Sequence, residues 1–212
     1  MTLPGSSPYT LYLVLDPDHV AGDVMQTALD AFDSGVTCVQ LRWKTATDRQ
    51  LVELARAALA LSRPRGIPLI INDRLDISLA AGADGVHLGV DDIPVQDARR
   101  LGGTDFLIGY SPETDVQITR AAGAGASYLG IGPIFETATK VDAGPKLGAT
   151  EFSRRRQLTD LPVVAIGGIT PRNAAAARSA GASGIAVVSA ILGGADPAAA
   201  TRQLRKAFLA CS

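Results

Sequence analysis

Two histidines and two cysteines are all this 212-residue chain holds of the residue types that most often bind transition metals or build nucleophilic triads. Cys38 falls inside a strand-like run and Cys211 in a terminal tail expected to fray, so neither a disulfide framework nor a thiolate metal site is expected. His19 lies in an early loop and reads as a surface residue. His87 is embedded in an apolar run and reads as a satisfied structural histidine, since nothing in the pattern places it at a site. No His–Asp–Ser or Cys–His arrangement stands out. An excess of either charge is missing too: 20 Lys and Arg against 21 Asp and Glu leave a net charge of −1, so nothing suggests a large basic face for nucleic acid. No apolar run is long enough to cross a bilayer, and residues 1–10 lack the charged and apolar regions of a signal peptide. The expectation is a soluble cytoplasmic protein with no membrane partner. Aromatic residues are only 5% of the chain, while Ala and Gly are abundant, which suits close helix-on-sheet packing.

What the sequence does hold is alternation. Short apolar runs at 11–15, 38–41, 69–71, 85–88, 107–109, 128–131, 163–166 and 185–188 read as strands covered on both faces. Segments of helical period lie between them, clearest at 24–34, 48–62, 114–123, 172–180 and 197–208. Asp48 and Thr114 are expected as N-caps and Pro197 as a first-turn proline. Ala81-Gly82-Ala83-Asp84-Gly85-Val86 is echoed at Ala124-Gly125-Ala126-Ser127 and Ala180-Gly181-Ala182-Ser183, each reading as a helix closed by a left-handed Gly before a strand. Repeated αβ units with right-handed crossovers predict an α/β fold, a single-domain (β/α)8 TIM barrel over 11–212, behind a flexible N-terminal segment at 1–10. A doubly wound sheet would place a Gly-rich loop after the first strand, where Asp16-Pro17-Asp18 reads as a plain turn.

In such a barrel the site lies at the carboxyl ends of the strands. Gln40, Arg42 and Lys44 share one face of the second strand and line the mouth if Cys38 and Gln40 face inward; otherwise the two cations are a solvated strand end. Asn72-Asp73-Arg74 follows the third strand and Asp91-Asp92 the fourth. Carboxylates on neighbouring loops suit Mg²⁺, which takes one or two of them with substrate phosphate oxygens. Each of these aspartates reads equally as a helix cap. Ser111 follows the fifth strand. The loop Gly132-Pro133-Ile134-Phe135-Glu136-Thr137-Ala138-Thr139-Lys140 offers hydroxyls and an ammonium to a phosphate, or is polar surface filler. Gly167-Gly168 and Ser189-Ala190 end the last two strands, where barrels recurrently bind phosphate, and Gly168 lets backbone approach an anion.

With Gln40-Leu41-Arg42-x-Lys44, Ile71-Asn72-Asp73-Arg74, Gly85-Val86-His87-Leu88-Gly89-x-x-Asp92, Gly109-x-Ser111, the loop from Gly132 to Lys140, Ala165-Ile166-Gly167-Gly168-Ile169 and Ser189-Ala190-Ile191 in this order, the chain resembles the thiamine phosphate synthase family. The resemblance implies a transferase of thiamine biosynthesis with Mg²⁺ as cofactor. It joins hydroxymethylpyrimidine pyrophosphate to thiazole phosphate and releases pyrophosphate. It further implies Asp73 and Asp92 on Mg²⁺. Arg42, Lys44 and Lys140 would neutralise the pyrophosphate as the catalytic set. Gln40, Leu41, Trp43, Asn72 and Ser111 would complete the pyrimidine pyrophosphate site. Thr137, Ala138, Thr139, Gly168, Val188 and Ser189 would hold the thiazole phosphate. Val90, Trp43, Thr45 and Pro112-Glu113 depart from the family pattern, which commonly has Gln, an acidic residue, Gly and a His near those places. Two alternatives stay open, a thiazole tautomerase of the same fold and a non-catalytic phosphate-binding barrel. So does the oligomeric state, a homo-oligomer included.

Overall fold

The computed structural model describes residues 7–137 and 146–210. Eight parallel strands close on themselves in chain order: β1 (Leu11–Leu15), β2 (Cys38–Leu41), β3 (Leu69–Asn72), β4 (Gly85–Leu88), β5 (Leu107–Tyr110), β6 (Tyr128–Ile131), β7 (Val163–Ile166) and β8 (Gly184–Val187). The last strand pairs back onto the first, Leu11 opposite Ile185 and Leu13 opposite Val187. This is the (β/α)8 barrel that the alternation predicts, with every strand end within one residue of expectation.

Around it lie α1 (Val24–Asp33), α2 (Asp48–Ser62), α3 (Leu75–Ala81), α4 (Val95–Gly102), α5 (Asp115–Ala124), α6 (Gly148–Arg156), α7 (Ala174–Ser179), the short α8 (Ser189–Leu192) and α9 (Pro197–Leu209). The start of α2 corrects one expectation. Thr47, not Asp48, is its N-cap, accepting from the Gln50 amide while the Gln50 side chain accepts from the Thr47 amide. Thr114 caps α5 in the same reciprocal way, and Pro197 opens α9 behind Asp196. Gly82 and Gly125 end α3 and α5 in the left-handed conformation, at φ 73° and 99°, as the repeated Ala-Gly-Ala pattern predicts. Helix α6 has little apolar periodicity, because Phe152 alone of its residues is buried and Arg154, Arg155 and Arg156 crowd its last turn.

The apolar side chains separate into two cores. The larger lies between strands and helices and holds Leu11, Leu13, Leu15, Val39, Leu41, Ile71, Leu129 and Phe152. The smaller fills the barrel with Tyr12, Val14, Cys38, Ile70, Tyr128, Val164 and Ala186. Of the segment expected to be flexible, Tyr9 and Thr10 are buried, and the Tyr9 ring packs 4.3 Å from that of Tyr128 at the amino end of the barrel. Residues 1–6 lie outside the described residues, as does Cys211. Among the described residues no helix is long and apolar enough to cross a membrane.

Period-two alternation connects the inner core to the site. Tyr12 and Val14 point inward, so Asp16 is next in line; Cys38 and Gln40 lead to Arg42; Ile70 leads to Asn72. The inner-facing row of each strand thus continues onto one rim.

Candidate functional site

At the β1–β2 edge of the rim, Gln40 is buried and donates its side-chain N–H to the Tyr12 hydroxyl at 3.0 Å. The Arg42 guanidinium donates to the Asp16 carboxylate in a very short ion pair, and its own amide donates to the Leu15 carbonyl at 2.9 Å. Asp16 is only 2% exposed against 24% for Arg42. It also accepts from the Asp18 amide at 3.2 Å, and His19 Nδ1 lies 3.4 Å away. Arg42 is therefore no loose strand end: a buried carboxylate holds it. The sequence reading took Asp16 for part of a turn and missed this partner, although the inward row Tyr12, Val14, Asp16 marks it.

Leu41 and Trp43, between these polar residues, face the other way. The Leu41 side chain is fully buried in the outer core, so only its backbone is left for the binding role expected of it. Trp43 packs against the same core and donates its ring N–H to Asp18 at 3.2 Å, while the Thr45 hydroxyl donates to Asp18 at 2.9 Å. Two of the departures from the family pattern thus fasten the β2 loop to the β1 loop. Lys44 is exposed at the rim.

Across β3 and β4 stands the acidic pair. Asp73 follows Asn72 with φ 61°, the one non-glycine residue in the left-handed region among those described. That conformation is costly for most residues and least so for Asn and Asp. It is held by the Asp73 amide donating to the His87 carbonyl at 2.8 Å and by Arg74 donating back to the Asn72 carbonyl at 2.7 Å. Burial and the Asp92 carboxylate beside it push the Asp73 carboxyl above its usual range, with Lys44 and Asn72 acting against them. Asp92 accepts from the Gly89 amide at 2.6 Å. Neither aspartate caps a helix, since α3 and α4 have no side-chain cap, so the capping alternative falls away. Asp91 is exposed. Arg74 is committed elsewhere, bridging Asp76 at 2.6 Å and Asp48 at 2.8 Å. Among the described residues no group of three or more His, Cys, Asp or Glu could hold a metal. Two adjacent carboxylates, with Asp73 pushed toward protonation by burial and by Asp92, match a hard cation that takes its other ligands from phosphate and water.

Ser111, just past β5, meets His87 Nε2 at 2.8 Å, and His87 Nδ1 meets the Tyr128 hydroxyl at 3.0 Å. His87 is hydrogen-bonded, as expected of a structural histidine, but it points into the barrel and reaches a rim residue. Its inward direction follows from the alternation Gly85, His87, Gly89. Glu113 lies exposed beyond the rim, with its amide tied to Gln117.

Between β6 and β7 the Gly132–Thr137 loop is tied down where its backbone runs beside the end of β7, with Ile134 donating to the Ile166 carbonyl at 2.9 Å and Phe135 to that of Gly167 at 3.1 Å. Gly168, at φ 65°, lies so close to this loop that a side chain there would collide with the Glu136 carbonyl. Its backbone freedom thus serves loop-on-loop contact as well as any approach of an anion. Asn173 donates to the Gly168 carbonyl at 2.9 Å, and Val188 and Ser189 open α8 alongside. Thr137 is described; Ala138, Thr139 and Lys140 lie outside the described residues.

The family described as "Thiamine monophosphate synthase" matches residues 11–191 of this chain. A thiamine-phosphate synthase from Roseiflexus castenholzii is 46% identical over 204 residues, 95% of this chain and 90% of that one. One from Xanthobacter autotrophicus is 47% identical over 209 residues, covering 98% and 99%. Among solved structures, a thiamine phosphate pyrophosphorylase from Pyrococcus furiosus superposes with a TM-score of 0.86 at 33% identity, over 95% of this chain and 96% of that one.

Proposed function

The chain belongs to the thiamine monophosphate synthase family, a transferase family, and on that basis we propose that it joins hydroxymethylpyrimidine pyrophosphate to thiazole phosphate with Mg²⁺ as cofactor. The observation that carries the finer reading is the paired Asp73 and Asp92 beside Lys44, on a rim shared with Arg42, Asn72 and Ser111. Neither a tautomerase nor a passive phosphate binder has a use for that combination.

In the reaction, the bond between the exocyclic CH₂ of the pyrimidine and the pyrophosphate oxygen breaks, and the electron pair leaves with pyrophosphate. The aminopyrimidine ring delocalises the positive charge left on CH₂. The lone pair of the thiazole nitrogen then forms the new C–N bond. No proton moves, so no general base is required, in keeping with a rim of cations, amides and hydroxyls. Asp73 and Asp92 would hold Mg²⁺, which supplies charge neutralisation to the leaving pyrophosphate when bound. Arg42, fixed by Asp16, and Lys44 add positive charge that need not reorganise during the step, with Lys140 as the third cation. Gln40, Asn72 and Ser111 orient the pyrimidine pyrophosphate. Thr137, Thr139, Gly168, Val188 and Ser189 hold the thiazole phosphate so that its ring nitrogen faces the CH₂ group, and close packing of both substrates keeps water from the cation.

The test is an assay of the purified chain with both substrates, with and without Mg²⁺, reading thiamine phosphate and pyrophosphate together. Metal-dependent coupling that survives Glu113→Gln and is lost in Asp92→Ala is expected. Isomerisation of a thiazole carboxylate phosphate that depends on Glu113, without pyrophosphate release, would overturn the synthase reading in favour of the tautomerase.

A further inference from the structure

Beneath the rim, side chains from four strands and the residue just past a fifth form one unbroken chain of hydrogen bonds. Gln40 Nε2 donates to the Tyr12 hydroxyl at 3.0 Å, Tyr12 and Tyr128 hydroxyls meet at 2.7 Å, Tyr128 meets His87 Nδ1 at 3.0 Å, and His87 Nε2 meets Ser111 Oγ at 2.8 Å. Both ends, Gln40 and Ser111, belong to the pyrimidine pyrophosphate site. Glycine makes the room: a side chain at Gly109 would overlap His87 Nδ1 and the Tyr128 hydroxyl, and one at Gly130 would sit 3.1 Å from His87 Cε1 and 3.3 Å from Ser111 Oγ. Burial raises both phenols well above their ordinary pKa, so each keeps its single hydrogen.

We propose that this chain runs in one direction, from Gln40 through Tyr12, Tyr128 and His87, and that His87 is thereby a positioning residue that makes Ser111 a hydrogen-bond donor toward pyrophosphate. The role given to Ser111 rests on the function proposed above; the direction of the chain does not.

The direction follows from counting hydrogens. An amide nitrogen can only donate, so the Tyr12 oxygen accepts from Gln40 and its one hydrogen goes onward. The Cys38 thiol also lies beside Tyr12, but sulfur is a weak acceptor and the Tyr128 oxygen takes the hydrogen. Tyr128 then gives its own hydrogen to His87 Nδ1, which must carry a lone pair. The imidazole hydrogen is therefore on Nε2 and goes to Ser111 Oγ. Ser111, having accepted from below, keeps its own hydrogen for the mouth. A pyrophosphate offers only acceptors. With the chain reversed, Ser111 would turn its hydrogen down to His87 and present a lone pair to that anion.

The chain's two histidines make this readable by long-range proton–nitrogen NMR on protein labelled at histidine. The signals lost in His87→Gln assign the residue. Protonated Nε2 with unprotonated Nδ1 is expected, and the opposite tautomer overturns the proposal. Calorimetry with magnesium pyrophosphate then tests the consequence. His87→Leu should weaken binding about 10- to 100-fold, the worth of one hydrogen bond to a charged group. His87→Gln, whose amide can still donate to Ser111, should recover most of that loss. Ser111→Ala should lose as much as His87→Leu, and the double variant no more than either. Wild-type affinity in His87→Leu, or losses that add in the double variant, would overturn the proposal and leave the synthase reading standing. Failure of the wild-type chain to bind magnesium pyrophosphate would overturn the synthase reading and the role of Ser111 together.

Discussion

Arg42→Ala removes one half of a pair whose other half cannot reach water. Asp16 is 2% exposed and would be left as a buried carboxylate, keeping the Asp18 amide at 3.2 Å as its one backbone donor. Breaking a fully buried ion pair costs about 3–5 kcal/mol. Here the guanidinium is 24% exposed, the Asp18 amide still donates and His19 Nδ1 stays 3.4 Å away, so roughly 2–3 kcal/mol is the better figure. In a chain of this size each kcal/mol lowers the melting temperature by about 2–4 °C, which gives a fall of roughly 4–12 °C. Adding Asp16→Asn should restore most of that fall, because the uncompensated charge is gone and a neutral amide is far cheaper to bury. It should not restore turnover, because the cation proposed to face pyrophosphate is still missing. Thermal melts of the two single variants and the double, with coupling assays run well below the lowest midpoint, make the measurement. An Arg42→Ala protein as stable as wild type, or a double variant no more stable than Arg42→Ala, would refute the reasoning that Asp16 is a buried charge held in check by Arg42.

The acidic pair predicts a conflict between stability and function. The Asp73 carboxyl titrates above its usual range in the folded protein, so below the unfolded value, about 3.9, both states hold the proton and nothing is lost. As pH rises from there toward the folded value the unfolded chain ionises first and stability falls. In metal-free buffer Asp73→Asn should therefore melt above wild type at pH 7–8 and lose that advantage near pH 4, while its Mg²⁺-dependent turnover collapses. Equal or lower melting than wild type at pH 7–8 would count against the pair. At Gly168, φ 65° and the Glu136 carbonyl leave no space for a methyl group, and backbone cannot rotate aside. Gly168→Ala should raise the KM for thiazole phosphate more than that for the pyrimidine, as the Gly132–Thr137 loop is displaced; equal effects would argue against two separate anion sites.

Much of this was readable from the chain alone, because it depends on near neighbours. Short runs such as Cys38–Leu41 and Val163–Ile166 are mostly apolar on both faces and bounded by turns, a pattern that suits strands of a covered parallel sheet. Eight of them alternating with helices leave few topologies. The same alternation placed Arg42 and Lys44 on the face of Gln40, and the loops after β3 and β4 next to each other. It could not choose between cap and metal ligand for Asp73, because that depends on where the helix starts and on what lies across the loop. The structure removes the cap, since α3 carries no side-chain cap, and it sets Asp92 against Asp73.

What only the tertiary structure decided are contacts made between strands. Asp16 meets Arg42 over a separation of 26 residues, and Tyr12 meets Tyr128 over 116. No local period encodes such pairs; pairing of β1 with β2 sets Asp16 beside Arg42, and closure of β8 onto β1 brings the inward rows of β1 and β6 together. His87 shows the difference within one residue. Its sequence neighbours mark a buried strand, which is correct, but whether its ring faces helix or barrel, and whether it ends on a hydroxyl at the rim, depends on Gly109 and Gly130 leaving space beside it. The sequence by itself determined the barrel, its order and the rim on which chemistry-bearing residues collect, because these follow from local pattern. Partners, charge balance and hydrogen-bond direction were decided by tertiary assembly, because they belong to groups far apart in sequence that meet only once strands have paired and the sheet has joined end to end.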